Sequence, residues 1–410
     1  MKKTIFFISA LLLTLGTIFF HSTSAEASSA KYFEVTKEQT PIFDNRRDAE
    51  EGLKVVGYLQ KGQQFTIASD YGKNWWKINY GDSYGYIYKP NTKIIEKITY
   101  KNKNNGAKNS KKHILTIKNM TVYDNTSGQL VPFAMIKSNL RYPIISEFGS
   151  NWYKVDVNGR IGYIGKTGTQ QDNGIPVLMY HHLLKKSENT GDFKNASTTI
   201  TPEQFQEQMD YLHKQGYETL YPKELEAYVQ QKSNLPAKSV LVTFDDGLKS
   251  THVYAYPILK KYNQKATNFI ITERIPSKPV PFNPESLQFL SIQEMNNTKD
   301  VFNYESHTNS MHGFQSKIPL LITNNASAIT NDVKKSISAL KPVNNNVHYF
   351  AYPFGQYDKE ATTAVKASGI TMAFTTKSGL VQTGDNPLEL KRIYVVPKMT
   401  IIEFVKSLSN

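Results

Sequence analysis

The chain has 410 residues, a formal net charge of +14 and no cysteine. That length accommodates two or three domains, and the lack of cysteine excludes a disulfide framework, a thiolate metal site and a lipid-anchored cysteine. Aromatic residues make up 12% of the chain, enough for a packed core and for surfaces that stack on sugar rings, and the positive charge points to wall polymer or a membrane surface rather than to nucleic acid, because the chain opens on an export signal.

Residues 1–27 read as a secretory signal peptide: Lys2 and Lys3 form the positive end, Thr4 to Phe20 the apolar stretch, and Ala25-Glu26-Ala27 a small-x-small cleavage site. The apolar run of about 17 residues is at the lower limit for a membrane span, so cleavage is expected rather than retention as an anchor. An exported chain without cysteine fits a secreted, wall-associated protein of a Gram-positive bacterium.

An internal repeat follows. Tyr71-Gly72-Lys73-Asn74-Trp75-Trp76-Lys77 is echoed by Phe148-Gly149-Ser150-Asn151-Trp152-Tyr153-Lys154, Phe43-Asp44-Asn45 by Tyr123-Asp124-Asn125, and Gly85-Tyr86-Ile87 by Gly162-Tyr163-Ile164. A period near 80 is too long for a solenoid unit, and short alternating apolar runs broken by Gly, Asn and Asp are a small β-barrel pattern. Two small all-β domains are expected, at 31–95 and 113–170. They resemble bacterial SH3-like (SH3b) domains, a resemblance that implies cell-wall binding. Strand alternation should send one aromatic of each pair inward; Trp75 and Trp152 are assigned to the core, with Trp76 and Tyr153 facing outward. Between the copies, residues 96–112 carry Lys101, Lys103, Lys108, Lys111 and Lys112 and read as a basic, solvated tether.

From Gly174 to Asn410 strands and helices alternate. Expected strands are Val177–Tyr180, Val240–Phe244, Ala266–Ile271, Val301–Glu305, Tyr349–Tyr352 and Met372–Thr375. Expected helices are Pro202–Gly216 with Thr201 as N-cap, Tyr254–Tyr262, Ile292–Asn297, Ala328–Leu340 with Ser327 as N-cap, and Lys359–Ser368. This βα series favours a mostly parallel barrel with its site at the strand C-terminal ends.

Two motifs carry chemistry. Val240-Leu241-Val242-Thr243-Phe244-Asp245-Asp246-Gly247 is a buried strand ending on adjacent carboxylates, which a fold tolerates best beside a cation. Asp-Gly alone is a common turn pair, but Ser306-His307-Thr308 and His312 lie downstream. Asp246, His307 and His312 form a reasonable facial ligand set for Zn²⁺ or another divalent ion, which leaves Asp245 as a base for an activated water.

These segments, with His348 to Asp358 and Pro176-Val177-Leu178-Met179-Tyr180-His181-His182, resemble the polysaccharide deacetylase family (carbohydrate esterase family 4, the NodB-homology domain). They are most similar to the branch containing poly-β-1,6-N-acetylglucosamine deacetylases. The resemblance implies a distorted (β/α)7 barrel, hydrolysis of N-acetyl groups on glycans containing N-acetylglucosamine, and an oxyanion donor in the Phe354 amide, with Tyr352, Pro353 and Phe354 lining the sugar subsite. The chain departs from the commoner pattern in having Ala351-Tyr352 where an Arg is usual and Leu390-Lys391-Arg392-Ile393 in place of a terminal Leu-x-His. In the resembled branch the general acid comes from the first motif, which points to His181, with His182 as rival, and leaves Arg392 to supply the positive charge beside Asp245. The expected activity is de-N-acetylation of peptidoglycan or poly-N-acetylglucosamine. O-acetyl esterase activity and a non-catalytic wall-binding role stand as alternatives.

Overall fold

Short alternating runs make residues 31–171 a β region, with only the short helices Asp48–Glu51 and Lys89–Asn91 among its strands. The computed structural model describes residues 31–409 apart from Asn195, so the signal-peptide reading of residues 1–27 lies outside the described residues. Where the sequence suggested two small barrels on a solvated tether, the two repeat copies are joined. Strand Lys54–Leu59 of the first pairs antiparallel with Val131–Ile136 of the second, Tyr58 opposite Met135, making one ten-stranded sheet. Gly57 permits the approach, since a Cβ there would lie 2.6 Å from the Met135 carbonyl oxygen. A single apolar cluster runs through both copies, with Phe33, Phe65 and Trp76 from one and Phe133, Tyr142 and Val155 from the other. The segment 96–112 is not a free tether along its whole length. Asn102 is buried and donates to the Ile161 carbonyl at 2.7 Å, and Lys103 bridges to Arg160.

The aromatic parity also differs from expectation. In strand Trp75–Tyr80, Trp76, Ile78 and Tyr80 point into the core, and Trp75 lies half-buried on the opposite face. In Trp152–Val157 the core side is Tyr153, Val155 and Val157. The inward residues downstream decide the register: Ile78 and Tyr80 are stronger core formers than Lys77 and Asn79, so period two places Trp76 with them.

Beyond Gly174 lies a parallel sheet. Its strand order is Met372–Phe374, Tyr349–Ala351, Phe302–Ser306, Ala266–Ile270, Ser239–Phe244, Val177–Tyr180 and Ile393–Tyr394, with Glu218–Thr219 paired to Ser239–Phe244 off this path. One segment spans the remaining gap: Leu390 bridges to Phe374 on one side and Ile393 pairs with Leu178 on the other. The result is the expected distorted barrel, and Arg392 falls in its closing segment. Helix Pro202–Lys214 starts at Thr201, whose side chain accepts from Gln204 N. Helix Ala326–Leu340 is capped by Asn325 rather than Ser327. Elements without an expected counterpart include the helices Pro222–Val229 and Ile401–Ser407 and the hairpin formed by Phe314–Gln315 and Ile318–Pro319.

The β region and the barrel share buried polar contacts. Arg46 reaches Glu218 at 2.6 Å and also Glu224, Arg47 holds Glu224 through two nitrogens, and Arg141 pairs with Asp172. Asn234 donates to the Tyr80 carbonyl at 2.6 Å and accepts from Asp82 N at 3.0 Å. Among the described residues no helix is long and apolar enough to cross a membrane.

Candidate active site

The site sits at the C-terminal ends of the parallel strands. Ser239–Phe244 is buried at every position and delivers Asp245 and Asp246 at its end. Asp246 takes φ 74° and Gly247 φ 73°. Gly247 suits this turn, because a Cβ there would be strained at its positive φ and would press on the Ile270 side chain at 2.8 Å. The two left-handed residues turn the chain so that successive carboxylates face different partners.

Asp245 is 3% exposed. Arg392 grips it with both terminal nitrogens, Nη1 to Oδ1 at 2.7 Å and Nη2 to Oδ2 at 2.8 Å, while Arg392 Nε donates to the Thr375 carbonyl at 2.9 Å. Burial pushes the Asp245 carboxyl up, but the Arg392 charge and hydrogen bonds outweigh it and hold the group below its ordinary value. His181 Nε2 lies 3.9 Å from Asp245 Oδ2, and His181 Nδ1 is buried without a partner. His182 turns into the interior, 4% exposed, where burial pushes its pKa down to about 4.

Asp246 faces the two downstream histidines. Its Oδ1 is 3.2 Å from His312 Nε2 and 3.5 Å from His307 Nε2, yet it is buried and makes no hydrogen bond. His307 Nδ1 is 2.7 Å from the Ala351 carbonyl oxygen. A carbonyl only accepts, so Nδ1 carries the proton and Nε2 presents a lone pair toward Asp246. The three ligand atoms of Asp246, His307 and His312 lie within 4.8 Å of one another. A buried carboxylate oxygen converging with two ring nitrogens, that of His307 presenting its lone pair, fits a divalent cation.

The loop between the histidines is pinned from a helix. Asp332 accepts from the backbone N–H of Asn309 and Ser310, each at 2.8 Å, and from Ser310 Oγ. Thr308 sits at φ 74°. Sequence reasoning missed Asp332; its one signal is an acidic residue on the buried face of Ile329, Val333 and Ser336. Glu305 was missed too. It receives the backbone amides of His348 and Tyr349 at 3.0 Å each and ties the strand before His307 to the third motif.

The third motif divides. Tyr352 is 0% exposed and packs with Phe350 and Tyr357, and Pro353 is buried. Neither lines an open sugar subsite: strand alternation turns Tyr352 toward the helices, away from the cleft. Phe354 differs. It is 37% exposed, adopts φ 59° and ψ 8°, and lays its ring 4.5 Å from His312 and 4.2 Å from Phe314. No protein acceptor takes its amide among the described residues. The arrangement joins a buried carboxylate held by an arginine, an Asp/His/His cluster with the donor set for a cation, a histidine beside the carboxylate and a free backbone donor, parts that suit hydrolysis of an acyl bond.

Residues 232–373 match the polysaccharide deacetylase family model. Over 241 residues the chain is 30% identical to the poly-β-1,6-N-acetyl-D-glucosamine N-deacetylase of Staphylococcus epidermidis, covering 55% of this chain and 80% of that protein. The structure is similar to that of the Streptococcus pyogenes deacetylase PplD in complex with acetate (TM-score 0.50, 28% identity, 58% of this chain and 99% of the other). It is also similar to IcaB from Ammonifex degensii (TM-score 0.50, 26% identity, 58% and 98%).

Proposed function

Because the chain belongs to the polysaccharide deacetylase family, we propose that it removes N-acetyl groups from a polymer of N-acetylglucosamine outside a Gram-positive cell. As a family member it is a hydrolase of N-acetyl amide bonds. The observation that carries the reading at residue level is the bidentate Arg392–Asp245 pair standing beside Asp246, His307 and His312 with His181 3.9 Å away.

Asp246, His307 and His312 would hold a Zn²⁺ or similar ion, which when bound supplies Lewis-acid polarisation. Asp245 accepts the proton of the attacking water; Arg392 keeps it ionised and fixes its direction. His181 gives a proton to the nitrogen as the C–N bond breaks, releasing acetate and leaving an amine on the sugar. The Phe354 N–H donates to the developing oxyanion, a contribution of about 3–4 kcal/mol for one such donor. His182, held neutral by burial, does not serve as the acid.

The substrate assignment leans on the Staphylococcus epidermidis relative, with peptidoglycan as the competing glycan. Export rests on the signal-like residues 1–27, and wall association on the SH3-like resemblance of the two repeats. Mass spectrometry of products from poly-β-1,6-N-acetylglucosamine oligomers and peptidoglycan fragments, with and without chelator, tests the proposal. Replacement of an acetyl group by hydrogen on sugars of the oligomers, abolished by chelator, is the expected mass change. A preparation that leaves both glycans unchanged sinks it.

A further inference from the structure

The two repeat copies can be compared position by position. Inside the shared core Ile87 matches Ile164, but Trp76 stands against Tyr153, Ile78 against Val155 and Tyr80 against Val157. On the outer face part of the set is kept: Trp75 matches Trp152, Lys77 matches Lys154 and Tyr86 matches Tyr163, Phe43/Tyr123 and Tyr71/Phe148 stay aromatic, and Asn79, Tyr84 and Tyr88 give way to Asp156, Ile161 and Gly165.

The geometry is kept as well. Phe43 and Trp75 meet edge-on at 5.4 Å and 87°, Tyr123 and Trp152 at 6.0 Å and 86°. Tyr71 and Tyr86 meet at 4.4 Å and 53°, Phe148 and Tyr163 at 4.9 Å and 55°. Tyr71 is 43% and Phe148 45% exposed. Folding explains part of this. Asp44 and Asp124 each accept from the backbone N–H two residues on, closing a turn, and Lys89–Asp70 and Lys166–Glu147 clamp equivalent edges. Folding does not explain why a paired, partly exposed ring set and the lysine beside it recur in both copies. Lys77 Nζ sits 3.5 Å from the Tyr84 ring centroid and Lys154 Nζ 5.7 Å from that of Phe148, and neither meets a carboxylate among the described residues.

We infer that each copy presents an equivalent glycan-binding face, built on Tyr71, Trp75 and Lys77 in the first and on Phe148, Trp152 and Lys154 in the second. Each face takes the neutral N-acetylated polymer and rejects its cationic de-N-acetylated product. Exposed rings offer the apolar faces that stack on a pyranose, and polar neighbours meet its hydroxyls. The unpaired lysine decides between substrate and product, because each glucosamine carries a positive charge once its acetyl group is removed. The polarity of this choice rests on the deacetylase reading; the two faces themselves do not. The first face is larger, since Tyr84 and Tyr88 stand where the second has Ile161 and Gly165.

The test uses the full chain carrying Asp245→Asn, titrated calorimetrically with an N-acetylglucosamine hexasaccharide and with its fully de-N-acetylated counterpart. Two sites besides the catalytic one are expected, the tighter removed by Tyr71→Ala and the weaker by Phe148→Ala, with circular dichroism unchanged. The de-N-acetylated sugar should bind roughly tenfold more weakly, and Lys77→Gln with Lys154→Gln should recover most of that loss. Unchanged stoichiometry in the Tyr71→Ala/Phe148→Ala variant overturns the proposal, as does equal affinity for both sugars. Quenching of tryptophan fluorescence by a wall stem peptide and not by the hexasaccharide also overturns it. Two sites that discriminate as stated in a wild-type chain that deacetylates no glycan would support the faces while sinking the catalytic reading.

Discussion

Asp245 and His181 lie 3.9 Å apart yet are assigned opposite proton states: Asp245 has to be ionised to accept a proton, and His181 has to carry one to release the amine. Asp245→Asn should retain bound zinc and lose turnover on amide and ester alike, by about 10²–10⁴-fold. His181→Ala should retain zinc and lose a similar factor on the amide, but far less on an activated aryl acetate whose leaving group needs no proton. Equal losses on the two substrates would remove His181 from the acid role. A second residue, His182, makes a separate prediction. Its pKa is pushed by burial from 6.5 to about 4, so between those values the unfolded chain binds a proton that the folded chain does not. Stability therefore falls as pH drops from 6.5 toward 4, by on the order of 3 kcal/mol in all, and the loss is complete near pH 4. Denaturant titrations at pH 7 and pH 4.5 should show a smaller difference in His182→Gln than in the parent. Residue types with obligatory chemistry were legible in the chain through the motifs they sit in: the ligand atoms of Asp246, His307 and His312 lie within 4.8 Å of one another, and Arg392 reaches Asp245. Side-chain direction was less legible. The Trp75–Trp76 pair was assigned the wrong way round because it was judged in isolation, when Ile78 and Tyr80 on the same strand already set the parity. Tyr352 was drawn toward the sugar by its neighbours in sequence, whereas the pleat sends it into the interior.

Among the elements, the loop from His307 to His312 depends most on something outside itself. Four residues lie between His307 and His312, Thr308 is in a left-handed conformation, and two backbone amides at the turn end on the carboxylate of Asp332 in helix Ala326–Leu340. Asp332→Ala would leave those donors unpaired and let His312 drift relative to Asp246. Outer partners of ligands typically contribute 10–100-fold in metal affinity, so competition against a chelator should show zinc held about that much more weakly, with His307 chemistry otherwise intact. An unchanged zinc affinity would mean that the loop keeps its shape without the helix. No local pattern could have announced this role, because Asp332 and the amides it receives are more than 20 residues apart and meet only when the helix packs on the sheet. The helices and strands themselves were more readable. Periodicity and caps located most of them to within two residues, since they answer to local chemistry: Thr201 caps a helix beginning with Pro202. The exposed hairpin carrying Phe314 answers to no such rule. It follows the last ligand and brings Phe314 against Phe354.

At the scale of the whole molecule, the β region is docked on the barrel through charge rather than hung from it. Arg46 and Arg47 enter from the turn after strand Thr40–Asp44 and meet Glu218 and Glu224, the latter 3% exposed. Glu224 also caps its own helix by accepting from Tyr221 N. Burial pushes its carboxyl up, and the two guanidiniums bring it below its ordinary value. This makes the pair asymmetric under mutation. Arg47→Ala in the full chain leaves a buried carboxylate short of a partner, a change that typically costs about 3–5 kcal/mol. Starting the chain near Gln171 instead returns Glu218 and Glu224 to water, where they need no partner, so the barrel escapes that penalty and loses only the docking contacts. The expected order under guanidinium is a single cooperative transition for the parent, a transition at clearly lower denaturant for Arg47→Ala, and a folded truncated barrel that keeps activity on soluble oligosaccharides. Adding Glu224→Gln to Arg47→Ala should recover part of the lost stability, because a neutral amide tolerates the site better than an orphaned charge. Two resolved transitions in the parent, or Arg47→Ala with parental stability, would show that the β region and the barrel fold independently and that the ion cluster between them contributes nothing to holding them together.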